Sequence, residues 1–530
     1  MSVKIRLFVA TIAAAAVFGL TAADARSLKW SRAGDALTLD PHAQNENPTT
    51  TFLRQVYEPL VERDRSGKLI PTLAVSWRIT EDPTVWEFKL REGVTFHNGN
   101  AFNADDVVFT FDRARQPTSD FKGYIASVDA VTKVDAHTVR IKTKGPNPIL
   151  VQNFTNLLIM DKEWAEANNA GKVQDFKNKE ENFAVRNANG TGAFALVSRE
   201  PDVRTVLKRN DSYWGRSEVP LEITELVFQP IKADATRVAA LLSGEVDFVQ
   251  DVPVQDIDRL RNSANLAVTV GPENRTIFLG MDMSSPQLRS SDVKGKNPFA
   301  DVRVRQAMNM AINREAVQRV VMRMQSVPAG AIVPPFVNGY TKELDTLPKV
   351  DVSGAKTLME QAGYPAGFSV SFHCPNDRYV NDEAICQAAV GMLGQIGIKA
   401  NLVSQSKSLH FPLIQKAETD FYLVGWGVPP YDSEYIFSYL YHTRGEKLGG
   451  WNAARYSNPE MDKLIQGLSS ETDLAKRNAA IATIWQQVAK DQVYIALHHQ
   501  VLAYAMKNFI EIPVHPENQV LFKELSFRKS

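Results

Sequence analysis

Residues Asn381–Val403 read NDEAICQAAVGMLGQIGIKANLV, and this stretch is the clearest sign of the chain's fold class. Asn381 or Asp382 caps a helix whose buried face recurs at every third or fourth position. Gly397 ends that helix, and Ile398–Val403 forms a strand directly after it. A helix that leads at once into an apolar strand is the repeating unit of an α/β protein.

The same succession of helix and strand recurs elsewhere in the chain. Ala233–Val249 reads ADATRVAALLSGEVDFV, in which Gly244 separates a helical face from a strand that begins at Val246. Further on, an amphipathic helix over Leu474–Val488 precedes an apolar strand, Tyr494–Leu497. The alternation predicts α/β lobes.

One segment reads as strand on both sides of a glycine. In TVWEFKLREGVTFHNG, Thr84–Gly99, apolar residues alternate before and after Gly93, which predicts a hairpin. Asn103 then caps a helix with Asp105 and Asp106 in its first turn, where negative charge complements the helix dipole. Neighbours on a helix diverge by about 100°, so these two carboxylates are interpreted as capping groups and not as an acid–base pair.

Size and charge limit the classes of protein that the chain can represent. Its 530 residues exceed the roughly 250–300 that one hydrophobic core organises, so at least two domains are expected. The 60 Lys and Arg equal the 60 Asp and Glu, so no net field attracts nucleic acid or anionic lipid. No nucleic-acid partner is therefore predicted.

The first 25 residues resemble an export signal. Lys4 and Arg6 precede an apolar run, Leu7–Leu20, and Ala23–Ala25 supplies the small-x-small pattern of a cleavage site after Ala25. A membrane anchor is the alternative, but it needs about 20 apolar residues. No cysteine stands at the cleavage point for lipidation, so the predicted location is a Gram-negative periplasm.

The sequence contains two cysteines, Cys374 and Cys386. In an oxidising compartment they can form a disulfide, and two buried free thiols are the alternative. No His or further Cys stands near them at ligand spacing, so no metal site is predicted.

Catalytic signatures are missing from the sequence. It contains no nucleophile elbow, no zinc-protease motif, no Walker loop and no C-x-x-C pair. Gly190–Gly192 is interpreted as a turn, and His498 and His499 as structural residues because neighbours on a strand face opposite ways. No catalytic residue and no cofactor are predicted, although a triad assembled from distant segments stays open.

Blocks spread over most of residues 35–500 resemble the family 5 extracytoplasmic solute-binding proteins, which serve ABC importers of dipeptides, oligopeptides and nickel. The blocks occur in the family's order, and the ordered series is specific although each block is weak alone. They are TLDPH (Thr38–His42), VYEPLVERDRSGKLIPTLAVSWRITED (Val56–Asp82), WEFKLREGVTFHNGNAFNADDVVFTFDRA (Trp86–Ala114), GTGAF (Gly190–Phe194), NDSYW (Asn210–Trp214), LLSGEVDF (Leu241–Phe248), DVRVRQAMNMAINREAV (Asp301–Val317), AGYPAGF (Ala362–Phe368) and Gly425-Trp426.

The resemblance implies a two-lobed periplasmic binding protein, type II-like and of the large peptide-binding class. Its lobes would be lobe I at 26–278, with an extra subdomain at about 69–186, lobe II at 279–496, and a return to lobe I at 497–530. Two crossover strands would link the lobes, at Thr276–Met283 and Tyr494–His499. A ligand would be enclosed between the lobes as they close about a hinge.

The resemblance also implies site residues. In peptide-binding members the tryptophan matching Trp426 lines the site, and an aspartate three residues later pairs with the peptide's α-amino group. Here that third residue is Pro429, so either Asp432 replaces the aspartate from a shifted position or the ligand lacks the amine. Arg378 stands near the arginine that binds a ligand carboxylate in dipeptide-type members. The predicted ligand-binding residues are Asn45, Arg378, Trp426, Tyr431 and Asp432.

The function implied is that of a monomeric periplasmic substrate-binding component. It would bind a peptide or peptide-like solute and deliver it to an inner-membrane ABC permease and ATPase complex. The alternative ligands are opines, glutathione-like compounds, oligosaccharides and metal chelates. A secreted hydrolase, or a sensor without a transport role, would be proteins of another class.

Overall fold

A computed structural model describes residues 26–176 and 178–528 of the chain. The predicted signal peptide, residues 1–25, lies outside the described residues. Within the described ranges, no helix is both long and apolar enough to span a bilayer.

Nineteen strands are assigned in the described residues. They are β1 (Ser27–Ser31), β2 (Val61–Arg63), β3 (Leu69–Pro71), β4 (Ala74–Ile79), β5 (Val85–Leu90), β6 (Val128–Asp135), β7 (Thr138–Thr143), β8 (Phe194–Glu200), β9 (Arg204–Arg209), β10 (Glu225–Phe228), β11 (Phe248–Val249), β12 (Leu266–Met281), β13 (Ser326–Pro328), β14 (Phe368–Pro375), β15 (Ile398–Gln405), β16 (Phe421–Gly427), β17 (Tyr494–Lys507), β18 (Ile510–Glu511) and β19 (Ser526–Phe527).

Fourteen α-helices accompany them in the same part of the chain. They are α1 (Asn47–Leu53), α2 (Ala104–Ala114), α3 (Leu150–Phe154), α4 (Lys162–Ala167), α5 (Asp234–Ser243), α6 (Ile257–Arg261), α7 (Val302–Ala311), α8 (Arg314–Ala316), α9 (Val352–Gln361), α10 (Asp382–Gly394), α11 (Lys407–Gln415), α12 (Ser433–Ile436), α13 (Pro459–Leu468) and α14 (Leu474–Lys490). Short 3-10 turns lie at Phe183–Val185, Pro298–Ala300 and Phe522–Glu524, and π-helical turns at Val317–Val321 and Phe437–Tyr441.

One long sheet runs through the molecule in the order β15-β14-β16-β12-β17-β11-β1-β10-β9-β8, with β13 added on β17. Its middle consists of β12 and β17, which pair antiparallel from Leu266 opposite Lys507 to Gly280 opposite Tyr494. Their register shifts between Pro272 and Thr276, where the ladder is interrupted. Both strands therefore belong to two halves of the sheet and join them.

The buried side chains divide into separate cores on the two sides of these long strands. Trp30, Phe248 and Tyr504 belong to the core of the first lobe. Leu279 and Ile495 belong to a core of the second lobe. The structure thus has the predicted class, two α/β lobes linked by β12 and β17. The lobe boundaries at 278/279 and 496/497 stay predictions.

An antiparallel sheet of four strands, β4-β5-β7-β6, packs with α2 around a core of its own that includes Phe88, Phe111 and Phe154. The predicted hairpin within Thr84–Gly99 is wrong. β5 pairs with β4 and β7, while the chain after Gly93 leaves the sheet and makes only an isolated bridge from Thr95 to Ala101. Alternation reveals that a segment is half-buried but does not identify the strand beside it.

The predicted cap of α2 is confirmed. The Asn103 side chain accepts a hydrogen bond from the Asp105 backbone, and the Asp106 carboxylate accepts one from the Asn103 backbone at 2.9 Å. These bonds satisfy amide groups that have no partner within the helix.

Several of the short blocks meet in the fold as buried polar networks. Glu58 accepts hydrogen bonds from Thr191, Tyr213 and Trp214, at 2.9, 2.7 and 2.7 Å. Gly190 packs against the backbone beside them, because a Cβ there would lie 2.1 Å from the carbonyl oxygen of Val56. These contacts tie three separate segments of the first lobe together.

Asp40 and Arg113 form a second such network in the first lobe. Both carboxylate oxygens of Asp40 accept from Arg113, at 2.7 and 2.6 Å, and both side chains are fully buried. Burial opposes ionisation of Asp40, but the guanidinium outweighs it and holds the pKa of Asp40 at about 2.

Candidate functional site

A cavity of about 720 Å³ lies between the two lobes. Its first-lobe wall includes Arg32, Asp251 and Glu517, and its second-lobe wall includes Arg378 and Tyr379. The crossover strands add Glu273 and Arg275 from β12 and Gln500 from β17. A ligand in this space would contact both lobes and the strands that join them, which is the arrangement that hinge closure needs.

Arg378 lies in the loop between β14 and α10. Its backbone N–H donates to Asp382 at 3.0 Å, and its guanidinium lies 5.1 Å from the centre of the Tyr379 ring. Its guanidinium has no carboxylate or carbonyl acceptor among the described residues. Burial and the nearby charge of Arg275 lower the pKa of Arg378. The side chain forms no salt bridge with any described residue and is open to an anionic group in the cavity.

The other arginines of this wall each have an acidic partner. Arg275 pairs with Glu273 at 3.0 Å, Arg32 with Asp251 at 2.8 Å, and Arg237 with Asp234 at 2.6 Å. The charge of each of these arginines is therefore partly neutralised within the protein, whereas Arg378 has no salt-bridge partner among the described residues.

A smaller cavity of about 170 Å³ shares Asn47, Glu273, Arg275 and Glu517 with the larger one. Asn45, predicted to bind ligand, lies in its wall, and its amide donates to the Tyr124 hydroxyl at 3.2 Å. Gly427, Val428 and Pro429 form the wall from the second lobe. The two cavities thus bring together Asn45, Arg378 and the segment that follows Trp426.

Trp426 itself lies behind that segment. It is on β16, is only 7% exposed, and packs against Tyr435, Tyr439 and Trp451 with ring centres 5.4 to 5.8 Å away. It lines neither cavity, whereas its neighbour Gly427 does. Its indole N–H has no acceptor among the described residues. Contact between Trp426 and a ligand stays a prediction.

Tyr431 makes a contact between the lobes. Its backbone has φ of +54°, and its ring lies under the guanidinium of Arg63 at 4.1 Å. Arg63 also donates to the Pro429 carbonyl at 3.2 Å, and Gly67 approaches so closely that a Cβ there would be 2.5 Å from the Tyr431 ring. We call the contact of Arg63 with Pro429 and Tyr431 the interlobe bridge.

Asp432, predicted to bind the ligand, pairs within the second lobe, and its contact with a ligand stays a prediction. Both carboxylate oxygens accept from Arg477, at 2.6 and 2.7 Å, inside the second lobe. One oxygen also caps α12 by accepting from the Glu434 backbone, and the other accepts from the Asn338 amide. A ligand would compete with these donors for the carboxylate, and freeing it would leave the buried guanidinium of Arg477 unpaired.

Sequence reasoning missed Arg63, Glu273, Arg275 and Glu517. Each is a single charged residue in an unremarkable stretch, and Arg63 and Glu517 lie more than 450 positions apart in the chain. No local pattern could have joined them. The sequence did give one indication, at Pro429. Proline cannot pair with an amine, so a ligand with an amine would need an acid elsewhere in the cleft.

Comparison with known proteins adds a family match. The family model of bacterial extracellular solute-binding proteins, family 5 Middle, matches residues 68–447. The glutathione-binding protein GsiB of Pectobacterium atrosepticum is 26% identical over 522 residues, which cover 96% of each chain.

Solved structures share the fold at lower identity. The structure of HbpA2 from Haemophilus parasuis has a TM-score of 0.81 and 23% identity, covering 95% of this chain and 100% of that one. The ABC transporter-associated periplasmic binding protein DppA from Helicobacter pylori, in complex with peptide STSA, has a TM-score of 0.72 and 22% identity, covering 95% and 98%.

Proposed function

The chain belongs to family 5 of the bacterial extracellular solute-binding proteins, the binding components of ABC importers, and we propose that it captures a peptide-like solute between its two lobes. The observation that carries this proposal is the cavity of about 720 Å³ between the lobes, with Arg378 unneutralised in its wall. Such a volume suits a small peptide or a compound of similar size.

The ligand would have at least one anionic group. A guanidinium binds a carboxylate through two parallel hydrogen bonds, and the exclusion of water from the cleft strengthens that pair. The names of the relatives agree with this ligand class. One is called a glutathione-binding protein, and one structure contains the peptide STSA. Glutathione, a tripeptide with free carboxylates, is therefore the first specific candidate.

Capture would involve no chemistry on the ligand. The family is one of binding proteins. The protein would act as a monomer, be exported by residues 1–25, and present the closed form to a permease and ATPase complex in the inner membrane. The transporter would distinguish loaded from empty protein by the spacing of the lobes.

Native mass spectrometry of protein purified from a periplasmic extract tests this function. We expect a bound species with the mass of a peptide or peptide-like anion that is lost on unfolding. Isothermal titration with reduced glutathione and with short unmodified peptides then measures the affinity. A bound sugar or metal chelate, together with no heat from any peptide, would contradict the peptide-like ligand and favour one of the alternatives.

A further inference from the structure

The smaller cavity contains two carboxylates close to Pro429, the residue that stands where peptide-binding relatives have an acid. They belong to Glu273 and Glu517, and both side chains also line the larger cavity that contains Arg378. An amine enclosed in the smaller cavity would pair with one of them, because an ammonium group removed from water without an acceptor is strongly destabilised.

Glu273 is already occupied by partners within the protein. One of its oxygens accepts from Arg275 at 3.0 Å, and the other accepts from the Gln500 amide. These contacts connect the two crossover strands, β12 and β17. Recruiting Glu273 for a ligand would break a contact inside the hinge.

The Glu517 carboxylate can accept further hydrogen bonds. One carboxylate oxygen, Oε1, is paired with the Arg63 guanidinium, whose Nε lies 3.2 Å away. The other, Oε2, accepts no hydrogen bond from any described residue. The Glu517 side chain is 17% exposed and lines both cavities. The backbone carbonyl of Glu517 accepts from the Asn47 amide at 3.0 Å, which fixes the position of the segment.

We propose that Glu517 binds a positively charged amine of the ligand and so replaces the acid that peptide-binding relatives have at the position of Pro429. The proposal rests on the proposed function and narrows the ligand to a zwitterion. Its anionic end binds Arg378 on the second lobe, and its ammonium group binds Glu517 on the first. The Arg63 guanidinium neutralises one oxygen of Glu517, and the other oxygen accepts from the ammonium group.

In this arrangement the acid that binds the amine lies on the opposite lobe from the acid of the relatives. The acid of the relatives' motif follows Trp426 in the second lobe, whereas Glu517 is in the segment between β18 and β19 of the first. A zwitterion held at opposite ends by opposite lobes stabilises the closed form, since neither lobe alone satisfies both of its charges.

The test compares each peptide with the same peptide after acetylation of its amine. Probes are reduced glutathione and trialanine, each with a free and with an acetylated amine, measured by isothermal titration. We expect wild-type protein to bind at least one free amine about tenfold or more tighter than the acetylated form, because acetylation removes a charge-assisted contact. In Glu517→Gln this preference disappears, since free-amine affinity falls while acetylated-peptide affinity holds.

A matched control separates recognition from structure. Glu511→Gln removes an exposed carboxylate that pairs with Arg528 outside the cleft, and it should keep the preference. If Glu517→Gln lowers the affinity for free and acetylated forms equally, Glu517 only braces Arg63 and the inference is overturned.

The outcomes also separate this inference from the proposed function. Wild-type protein that binds free and acetylated peptides equally is a peptide binder without an ammonium site, so the inference fails and the function stands. The same holds if the preference survives in Glu517→Gln. Wild-type protein that binds none of the four probes contradicts the peptide-like function itself.

Discussion

At the scale of single residues, Arg378 is a cation in the interlobe cavity with no acceptor among the described residues. We expect Arg378→Ala to lower the affinity for an anionic ligand by ~2–5 kcal/mol, about 30-fold or more, because it leaves the ligand's anion unpaired in the cleft. Arg378→Lys should recover only part of this, since a point charge lacks the planar fork. Titration calorimetry measures both.

The matched control for Arg378 is Arg303→Ala. That arginine is paired with Asp301 at 2.6 Å on the surface of α7, outside both cavities, and its removal should leave the affinity unchanged. Wild-type affinity in Arg378→Ala would show that the ligand's anion binds elsewhere.

Trp426 is packed among aromatic rings, so truncating it to alanine would unfold the cluster and confuse stability with binding. Trp426→Phe keeps most of the packing. If the ligand contacts the indole, this variant should weaken binding by ~1 kcal/mol or more through lost contact area. The fluorescence change on ligand addition should shrink as well. Trp77→Phe, in the separate four-stranded sheet, is the control. An unchanged affinity and an unchanged fluorescence response would place Trp426 in the core alone.

His498 links a buried residue to the pH dependence of stability. Neither ring nitrogen has a partner among the described residues, and burial, with a further contribution from His499, lowers its pKa to about 3. The unfolded chain takes up this proton near pH 6.5 and the native one does not, so stability falls as pH drops from about 6.5 towards 3. Between pH 7 and pH 5 this one group removes ~2 kcal/mol.

His498→Leu tests the effect by denaturant unfolding at several pH values. The variant should lose ~2 kcal/mol less than wild type between pH 7 and pH 5, because its unfolded state no longer gains that proton. Equal losses in the two proteins would mean that the native histidine also becomes protonated in this range.

At the scale of elements, the structure joins Cys374, at the end of β14, to Cys386 in α10, with their Cα atoms 6.5 Å apart. The bond fixes the segment between them, which contains Arg378. The double variant Cys374→Ser/Cys386→Ser should lose ~3 kcal/mol of unfolding free energy, as expected for a loop of about 12 residues. Reduction of wild-type protein should lower the unfolding free energy by a similar amount. The stability of the double variant, which lacks both cysteines, should not change when a reductant is added. No change in the melting temperature on reduction would contradict this.

Elements were predicted well where the signal is local, and poorly where it depends on a distant partner. The succession of α10, Gly397 and β15 follows from helical spacing and a left-handed residue, and the structure has it. The hairpin after Gly93 failed because strand pairing is not encoded in alternation. The pairing of Asp432 with Arg477, 45 positions away, was hidden for the same reason, because a short stretch of sequence cannot show that a carboxylate is already paired.

At the scale of the whole molecule, the interlobe cavity implies that ligand binding brings the lobes together. Small-angle scattering should show a smaller radius of gyration with saturating ligand, since only a ligand with higher affinity for the closed form can shift the equilibrium. The melting temperature should rise too, by the equivalent of ~2.7 kcal/mol at a hundredfold excess over the dissociation constant.

The interlobe bridge supplies the control for that measurement. Arg63→Ala removes the contact with Tyr431 and the Pro429 carbonyl, so the unliganded variant should be at least as expanded as wild type. An identical distance distribution with and without ligand, in a variant that lacks the bridge, would argue against closure as the mechanism.

The ordered series of blocks predicted the family and its two-lobed fold, and the cleft had to be located in three dimensions. Asn45 comes together there with Arg378 and the segment after Trp426, which lie more than 300 positions further along the chain. Glu517 and Arg63 join them through a chain that crosses between the lobes twice. Proximity of that kind is a property of topology, which is why the sequence indicated the missing acid at Pro429 but not its replacement.

The central position of β17 in the sheet also fixes an order in time. The chain is made with its amino end first, so the residues that pair and pack in the second lobe are all present once about Gln500 has been made. The first lobe is still unfinished at that moment, because β11 pairs on one side with β1 and on the other with β17, which comes later in the chain. The lobe that begins first is therefore the last to be completed, and a chain that ended after Gln500 would have every paired strand of the second lobe but no partner for β11 at Ala505 and Met506.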